Sequence, residues 1–274
     1  DNQGMPDEVI AAWGGVIKRT IDSVGIEAVR GIGFAMPGPF DYVNGIPLFK
    51  GETTKYDNIY GIDVPKYLRE FLGLSSDFQI RFINDATAFA IGESQVGEAK
   101  NFRHSLSVTL GTGFGSAFIK DGLPVVESEE VPKYGCLWHL PFEGGIADDY
   151  FSTRGLKSRF EQATGQKLPG VKEIAELASV NSQAQALFDD FGEQMGLFLA
   201  PWIEKFGLEI LVMGGNISRA YELFEKSLDA YLQEVNLSLV VSISELKETA
   251  SFIGAATLVE DSFYQQVLPS LKHM

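Results

Sequence analysis

An aspartate at the corner between an apolar run and an alanine-rich segment is the kind of group that takes a proton from an alcohol. The chain carries one in Asn84-Asp85-Ala86-Thr87, directly after Ile80-Arg81-Phe82-Ile83. Further on, Thr109-Leu110-Gly111-Thr112-Gly113-Phe114-Gly115 lies between two strand-like runs and reads as a glycine-rich hairpin. Its glycines expose backbone N–H groups, and Thr109 and Thr112 offer hydroxyls, a suitable setting for phosphate oxygens. A base facing a phosphate cradle is the chemistry this pair suggests. If Asp85 opens a helix, the helix dipole favours its ionised form. The competing reading is that Asn84 or Asp85 merely caps that helix, because both residue types are preferred there. Gly214-Gly215-Asn216, after another apolar run, is a third candidate. Glycine there lets a flat ligand approach the backbone, although by itself the segment is only a strand-to-helix turn. The hairpin is not a dinucleotide fingerprint, since a strand follows its glycines, and no Gly-Lys-Ser/Thr closes a Walker-type loop.

The elements that must hold these residues alternate. Pro6-Asp7-Glu8 starts a helix in which Val9, Trp13, Val16, Ile17 and Ile21 recur at helical spacing until Gly25. Residues 29–35 form a buried strand closed by Met36-Pro37-Gly38-Pro39, which cannot continue a ladder. A long polar loop through Phe40-Asp41, Asn44-Gly45 and Lys55-Tyr56-Asp57 leads to a helix over 64–72, a strand over 80–83 and a helix over 86–96. That alternation argues for parallel βαβ connectivity. After His104, residues 106–110, 116–119 and 123–126 read as an antiparallel meander, with Asp121-Gly122 as its second turn. Residues 148–207 turn helical, with Leu187, Phe191, Met195, Phe198 and Trp202 on one stripe and a kink at Pro201. A strand over 210–213 follows, then a helix from Ser218. Phe252, Ala256, Val259, Phe263 and Val267 mark a last amphipathic helix stopped by Pro269.

With 274 residues and 45% hydrophobic content, the length suits two domains, the boundary falling near residues 99–104. The balance of 22 Lys+Arg against 37 Asp+Glu gives a charge of -15, which repels phosphate polymers and anionic lipid. No nucleic acid and no membrane partner is expected. One cysteine, Cys136, excludes an internal disulfide framework and suits a reducing compartment. No apolar run approaches the length of a membrane span, and Asp1-Asn2-Gln3-Gly4 does not read as a signal peptide. A cytoplasmic location is the expectation.

Taken together, the segments resemble in order the ROK family of sugar kinases and sugar-responsive proteins. The resemblance rests on Gly31-Ile32-Gly33-Phe34-Ala35-Met36-Pro37-Gly38-Pro39, Asn84-Asp85-Ala86-Thr87-Ala88, Gly92-Glu93, Leu110-Gly111-Thr112-Gly113-Phe114-Gly115, Val212-Met213-Gly214-Gly215-Asn216-Ile217-Ser218 and Ile253-Gly254-Ala255-Ala256. It implies an α/β, two-domain actin-like ATPase (RNase H-like) fold with a cleft between the domains. Residues 1–103 would form the first, smaller domain, with 258–274 packing back on it, and residues 104–257 the second, carrying the nucleotide-binding segments. The implied activity is ATP-dependent phosphorylation of a hexose or amino sugar, with Mg²⁺ accompanying the ATP. In the family, the position of Asp85 is the catalytic base and that of Asn84 binds sugar hydroxyls, with Pro37, Gly38, Cys136 and His139 as further candidates in the sugar site. Thr109, Gly111, Thr112, Gly113 and Gly115 would face phosphates, and Gly214, Gly215 and Asn216 would lie at adenosine. A homodimer is compatible with the resemblance.

The sequence also departs from the family pattern. ROK kinases commonly carry Gly-Glu-Ile-Gly-His in the sugar pocket, and the matching stretch here is Gly135-Cys136-Leu137-Trp138-His139. Cys136, a weak donor and acceptor, stands where a glutamate would accept sugar hydroxyl bonds. His139 is either a hydrogen-bonding group of that pocket or a packed residue. Many members place zinc-binding cysteines after the histidine, whereas Pro141-Phe142-Glu143-Gly144-Gly145 has none, so no zinc and no resident metal is expected. Nothing before Pro6 matches the family's Asp-Ile-Gly-Gly-Thr strands. The first domain is therefore expected to be N-terminally incomplete and the chain alone a slow or inactive catalyst. A non-catalytic sugar-binding protein and a polyphosphate-dependent kinase are the alternatives. A DNA-binding repressor lacks support, because no helix-turn-helix precedes Pro6.

Overall fold

The computed structural model describes residues 4–51 and 56–274. The Asp1 start and Lys55, both used in the sequence reading, lie outside the described residues. Helix α1 (Pro6–Val24) begins with proline, which needs no partner for an N–H there, and Glu8 accepts the Met5 N–H at 2.9 Å. It buries Val9, Ile10 and Gly14, and Trp13 packs 6.0 Å from both the Phe34 and Tyr56 rings. Val16, expected on the buried stripe, is 55% exposed. The stripe is displaced because Gly14 leaves room for the Phe71 ring, which a Cβ there would strike.

Strand β1 (Gly31–Met36) is followed by a short hairpin, β2 (Phe40–Asp41) with β3 (Ile46–Pro47), inside what the sequence presented as loop. Helix α2 (Val64–Leu72) is capped by Asp63, whose carboxylate accepts the Lys66 N–H. Strand β4 (Gln79–Asn84) pairs in parallel with β1, from Gly31↔Gln79 to Met36↔Asn84, and leads directly into α3 (Asp85–Val96).

The second sheet starts with β5 (His104–Leu110), β6 (Phe114–Lys120) and β7 (Leu123–Val125), the antiparallel meander. A small hairpin, β8 (Pro141–Phe142) with β9 (Gly145–Ile146), leads to the helices α4 (Ala147–Phe151), α5 (Thr153–Thr164), α6 (Val171–Ala178) and α7 (Ser182–Phe206). Helix α7 runs on through Pro201. Strand β10 (Ile210–Gly214) joins the open side of β5 in parallel. The helix expected from Ser218 is instead a 3₁₀ segment over Ile217–Leu223, and α8 (Glu225–Glu234) comes after it. Strand β11 (Val240–Ile243), unanticipated, completes the order β11-β10-β5-β6-β7.

The last helix of the sequence reading is in fact two, α9 (Glu248–Thr257) and α10 (Asp261–Leu271). Arg81 of β4 supplies the reason. Its guanidinium donates to the Leu258 carbonyl at 2.5 Å and pairs with Asp261, so the chain turns where periodicity alone would continue. Phe252, expected on the buried stripe, is 70% exposed, and Pro269 sits inside α10 rather than ending it.

One hydrophobic cluster runs under the second sheet, where Phe114, Phe151, Phe191, Phe198 and Phe224 interlock with α7. Another joins β1, β4 and α2 with Val267 and Leu271 of α10. Helices α3 and α9 cross between them with their backbones in contact: a Cβ at Gly254 would overlap the Ala88 carbonyl, and one at Gly92 the Ala250 carbonyl. Gly254→Ala should therefore destabilise the protein by about 1–3 kcal/mol, the usual effect of overpacking. Gly15→Ala, on an open face of α1, should instead be neutral or stabilising by up to about 1 kcal/mol. Urea unfolding of the two variants makes the comparison, and equal midpoints would refute the close crossing.

Candidate active site

The segments singled out in the sequence lie where parallel strands end. Pro37 and Gly38 follow β1, Asn84 closes β4, Gly111 follows β5, and Gly214 closes β10. Parallel pairing sets Met36 beside Asn84 and Gly214 beside Thr109, so each sheet presents two such corners side by side. Ligands of open α/β sheets bind outside these carboxyl ends. Helix α3 brings the two sheets together. A Cβ at Gly115 would lie 3.0 Å from the Ala86 Cβ, and one at Gly214 would lie 2.5 Å from the Phe89 ring. The N-terminus of α3 is thus seated against the hairpin on one side and β10 on the other.

Asn84 is the N-cap of α3. Its Oδ1 accepts the Ala86 N–H at 3.0 Å and the Thr87 N–H at 3.2 Å. Its Nδ2 donates to the Tyr42 hydroxyl at 3.2 Å, and that hydroxyl donates to the Met36 carbonyl at 3.1 Å. The amide is therefore fixed, its oxygen committed and one N–H remaining. Gly38 belongs to the same corner, since a Cβ there would lie 3.5 Å from the Tyr42 oxygen. The Tyr42 hydroxyl is held well above its ordinary pKa, chiefly by burial, with Asn84 opposing and the charges of Asp85 and Cys136 reinforcing.

Asp85 follows as the first residue of α3. It faces solvent, yet enough protein surrounds the carboxylate for desolvation to push its pKa above the usual value. The Ala86 N–H, 2.9 Å away, and its own N–H pull downward without cancelling that effect. The dipole argument made from sequence gave the opposite direction. It omitted the water that neighbouring protein displaces, which here outweighs the helix N–H groups.

In the hairpin, Gly111 N–H donates to the Gly113 carbonyl at 3.0 Å, and Phe114 N–H donates to Asp148 Oδ1 at 2.6 Å. The N–H groups of Thr112 and Gly113 have no partner among the described residues, and Thr112 is exposed. Thr109 Oγ1 packs directly against Gly115, where a Cβ would overlap it. Gly215, at φ +86, presses on the backbone of Leu110, which leaves Gly215 and Asn216 exposed beside the hairpin. On the other side, Cys136 Sγ lies 3.7 Å from His139 Nδ1. Burial pushes the thiol up to about 11 against a lowering contact from Trp138, and burial with nearby Lys133 lowers the His139 imidazole. Of two concavities, one lies at Lys100 and Arg103, and the other is lined by Val131, Lys133, Tyr134 and His273, directly beside the Gly135–His139 segment.

The family model described as ROK family matches residues 24–262. The chain belongs to the ROK family. It is 27% identical over 259 residues to a glucokinase of Thermotoga maritima, covering 84% of this chain and 79% of that one. It is 23% identical to an N-acetyl-D-glucosamine kinase of Pectobacterium carotovorum, covering 80% and 75%. The crystal structure of a ROK family glucokinase from Streptomyces griseus in complex with glucose and AMPPNP superposes with a TM-score of 0.69 at 19% identity, covering 93% of this chain and 88% of that one. The fold is thus the actin-like ATPase fold expected from the sequence.

Sequence reasoning passed over two residues that hydrogen-bond to the candidate segments. Tyr42 sits in a segment that read as loop, and Asp148 only marked the start of a helical stretch. Neither carries a local signal, because each acts on a partner far along the chain.

The raised pKa of Asp85 has a stability consequence. Its protonation favours the folded state below the unfolded carboxylate value of about 3.9, and that contribution is lost as pH rises through the folded value. Asp85→Asn, uncharged throughout, should have a higher urea midpoint than the parent near neutral pH, with the difference shrinking towards pH 3. A difference independent of pH would show that the carboxylate is not desolvated.

Proposed function

We propose that this ROK protein is a sugar kinase that transfers the terminal phosphoryl group of ATP to a hydroxyl of a hexose or amino sugar, with Asp85 as general base. The observation that carries the reading is the placement of the Asp85 carboxylate at the end of α3 that abuts the glycine hairpin through Ala86 and Gly115. The glucokinase and N-acetyl-D-glucosamine kinase relatives support the substrate class, and the glucose and AMPPNP bound to the Streptomyces griseus enzyme support the donor.

The hydrogen-bond accounting gives each group a role. Asn84 has only an N–H to offer, so it would donate to the oxygen of a sugar hydroxyl and leave that hydroxyl's proton for Asp85. The raised pKa makes Asp85 a stronger proton acceptor than an ordinary carboxylate. The free N–H groups of Thr112 and Gly113 would take phosphate oxygens, with Thr109 beside them, and Gly214, Gly215 and Asn216 would admit the nucleoside. Pro37, Gly38, Cys136 and His139 would complete the sugar site. Mg²⁺ would accompany the ATP phosphates, whose oxygens supply much of its coordination. The same reading divides the chain into residues 1–103 with 258–274, and residues 104–257. The packing of Val267 and Leu271 with Ile80 and Phe82 supports that division.

A coupled phosphotransfer assay with glucose and N-acetylglucosamine, run with Mg-ATP and with polyphosphate, tests the reading. Asp85→Asn should lower kcat by roughly 100-fold or more, with sugar Kd changed by no more than about threefold. Retention of most of the rate would remove Asp85 as the base. Sugar binding with no transfer from either donor would favour a sugar-binding protein.

Cys136 provides a check on the sugar side. With its thiol pushed up to about 11, alkylation by iodoacetamide at neutral pH should be slow and should accelerate steeply as the solution becomes alkaline. Saturating glucose or N-acetylglucosamine should slow it further. Equal rates with and without every sugar that the protein phosphorylates would place Cys136 outside the pocket.

A further inference from the structure

The loop that carries Cys136 and His139 also presents two large aromatic side chains to solvent. Tyr134 is 46% exposed and Trp138 47%. A single exposed aromatic residue needs no explanation. These two, however, meet on one side chain: the Tyr134 ring lies 5.8 Å from the His139 ring and the Trp138 ring 5.5 Å from it, both at steep angles. Trp138 also contacts the Cys136 thiol. Since Cys136 and Asp85 both act on the Tyr42 hydroxyl, the loop stands beside the Asn84 corner, and the aromatic pair belongs to the surroundings of that corner.

The backbone fixes where both rings are attached. Tyr134 has φ +66, in the left-handed region that a bulky residue rarely occupies. Gly135 holds it there: its N–H donates to the Pro132 carbonyl at 2.9 Å, and it is pressed so closely on β7 that a Cβ would overlap the Val125 carbonyl. Backbone strain of this kind persists only where the surrounding structure over-determines it, and it gathers at ligand sites. Next to Trp138, the Leu137 N–H donates to Ser116 Oγ of β6 at 2.8 Å, and the Leu137 carbonyl accepts the Leu140 N–H at 3.1 Å. Lys133 Nζ stands 4.6 Å over the Tyr134 ring, which leaves Trp138 as the broader open face. Tyr134 also walls a cavity of about 290 Å³, shared with Glu127, Ser128, Lys133 and His273, near the lower end of the size range of small-molecule sites.

Building on the kinase reading, in which His139 belongs to the sugar site, we propose that Trp138 and Tyr134, with the cavity beside Tyr134, form a second carbohydrate subsite that takes a pyranose ring joined to the sugar held at Asn84 and His139. A pyranose has a face of C–H groups and a rim of hydroxyls. The negative face of an indole or phenol ring attracts polarised C–H groups, and a flat, rigid ring loses little freedom on contact. The rim needs donors and acceptors, which Lys133, Ser128 and Glu127 supply along the cavity. A wholly apolar substituent would stack on the same rings but leave those polar groups unmatched.

Calorimetry with glucose, maltose and cellobiose on the parent chain, Trp138→Ala, Trp138→Phe and Tyr134→Ala tests this, together with phosphotransfer from Mg-ATP to the same sugars. The parent should bind at least one of the disaccharides roughly tenfold more tightly than glucose, the scale of an added aromatic contact. Trp138→Ala should bring the two Kd values to within about threefold of each other, whereas Trp138→Phe, which keeps an aromatic face, should retain most of the preference. Tyr134→Ala should reduce it as well. A merely structural role for these residues would weaken glucose and disaccharide together and leave their ratio at the parent value, which would overturn the proposal. So would a parent with no preference for either disaccharide, or a preference lost as fully in Trp138→Phe as in Trp138→Ala. The two readings fail separately. A disaccharide that is preferred but never phosphorylated, with glucose inert too, removes the kinase reading and leaves the subsite, while glucose bound and phosphorylated without any disaccharide preference does the reverse.

Discussion

The contact on which the rest depends is the crossing of α3 and α9, where glycines let two helix backbones touch. Gly254 lies on the Ala88 carbonyl, Gly92 on the Ala250 carbonyl, and Gly33 of β1 on the Ala255 carbonyl. Any side chain at these points would hold the elements apart. Since α3 begins with Asp85, the crossing fixes where the carboxylate stands relative to both sheets. The far end of α3 is anchored as well. Glu93 is fully buried, yet it accepts the Ser244 hydroxyl at 2.5 Å and the Glu98 N–H at 2.9 Å, so its charge is met by donors from both sides of the crossing. A buried carboxylate without such partners would be strongly unfavourable.

The two carboxylates of α3 show how environment sorts one residue class into different tasks. Glu93 is enclosed and saturated with donors, which suits it to holding elements in place. Asp85 has neighbouring protein on its flanks, solvent in front and only local N–H groups for support, so its proton affinity rises and its open side stays available. Asn84 completes the arrangement by satisfying the helix end through one oxygen while its nitrogen is steered by Tyr42. Capping and ligand recognition were competing explanations of Asn84 in the sequence. In the folded chain the cap is what fixes the direction of the remaining N–H, so the two roles are compatible.

The corners were legible in the sequence because each couples a buried apolar run to glycine or a capping residue, signals contained within a few positions. Helices α1, α2 and α3 were legible for the same reason. What escaped was set by distant partners. Tyr42 meets Asn84 across 42 residues and Asp148 meets Phe114 across 34. The break between α9 and α10 comes from Arg81 capturing the Leu258 carbonyl, a contact spanning 177 residues. Strand β11 is an edge strand whose Val240 is 48% exposed; its Leu239-Val240-Val241 run and Ile243 are strand-like, so here a local signal was present and passed over. Val16 was misassigned because the absence of a side chain at Gly14, rather than any apolar residue, decides which face of α1 closes on Phe71.

On the proposed kinase reading, a chain with a net charge of -15 has to bind a polyanionic donor against a general repulsion, and the local design bears on how that would be overcome. Arg154, the cation beside the hairpin, is already engaged by Asp148 and Asp149. The hairpin's own donors are the backbone N–H groups of Thr112 and Gly113, which have no partner among the described residues and carry only partial charge. Attraction at such a site depends on geometry more than on net charge, since oriented dipoles in a preformed turn need no reorganisation when a phosphate arrives. The contacts around the turn suit that requirement: Gly115 against α3, Gly215 against Leu110, Thr153 on Gly111 and Asp148 on Phe114 each remove one way for it to move.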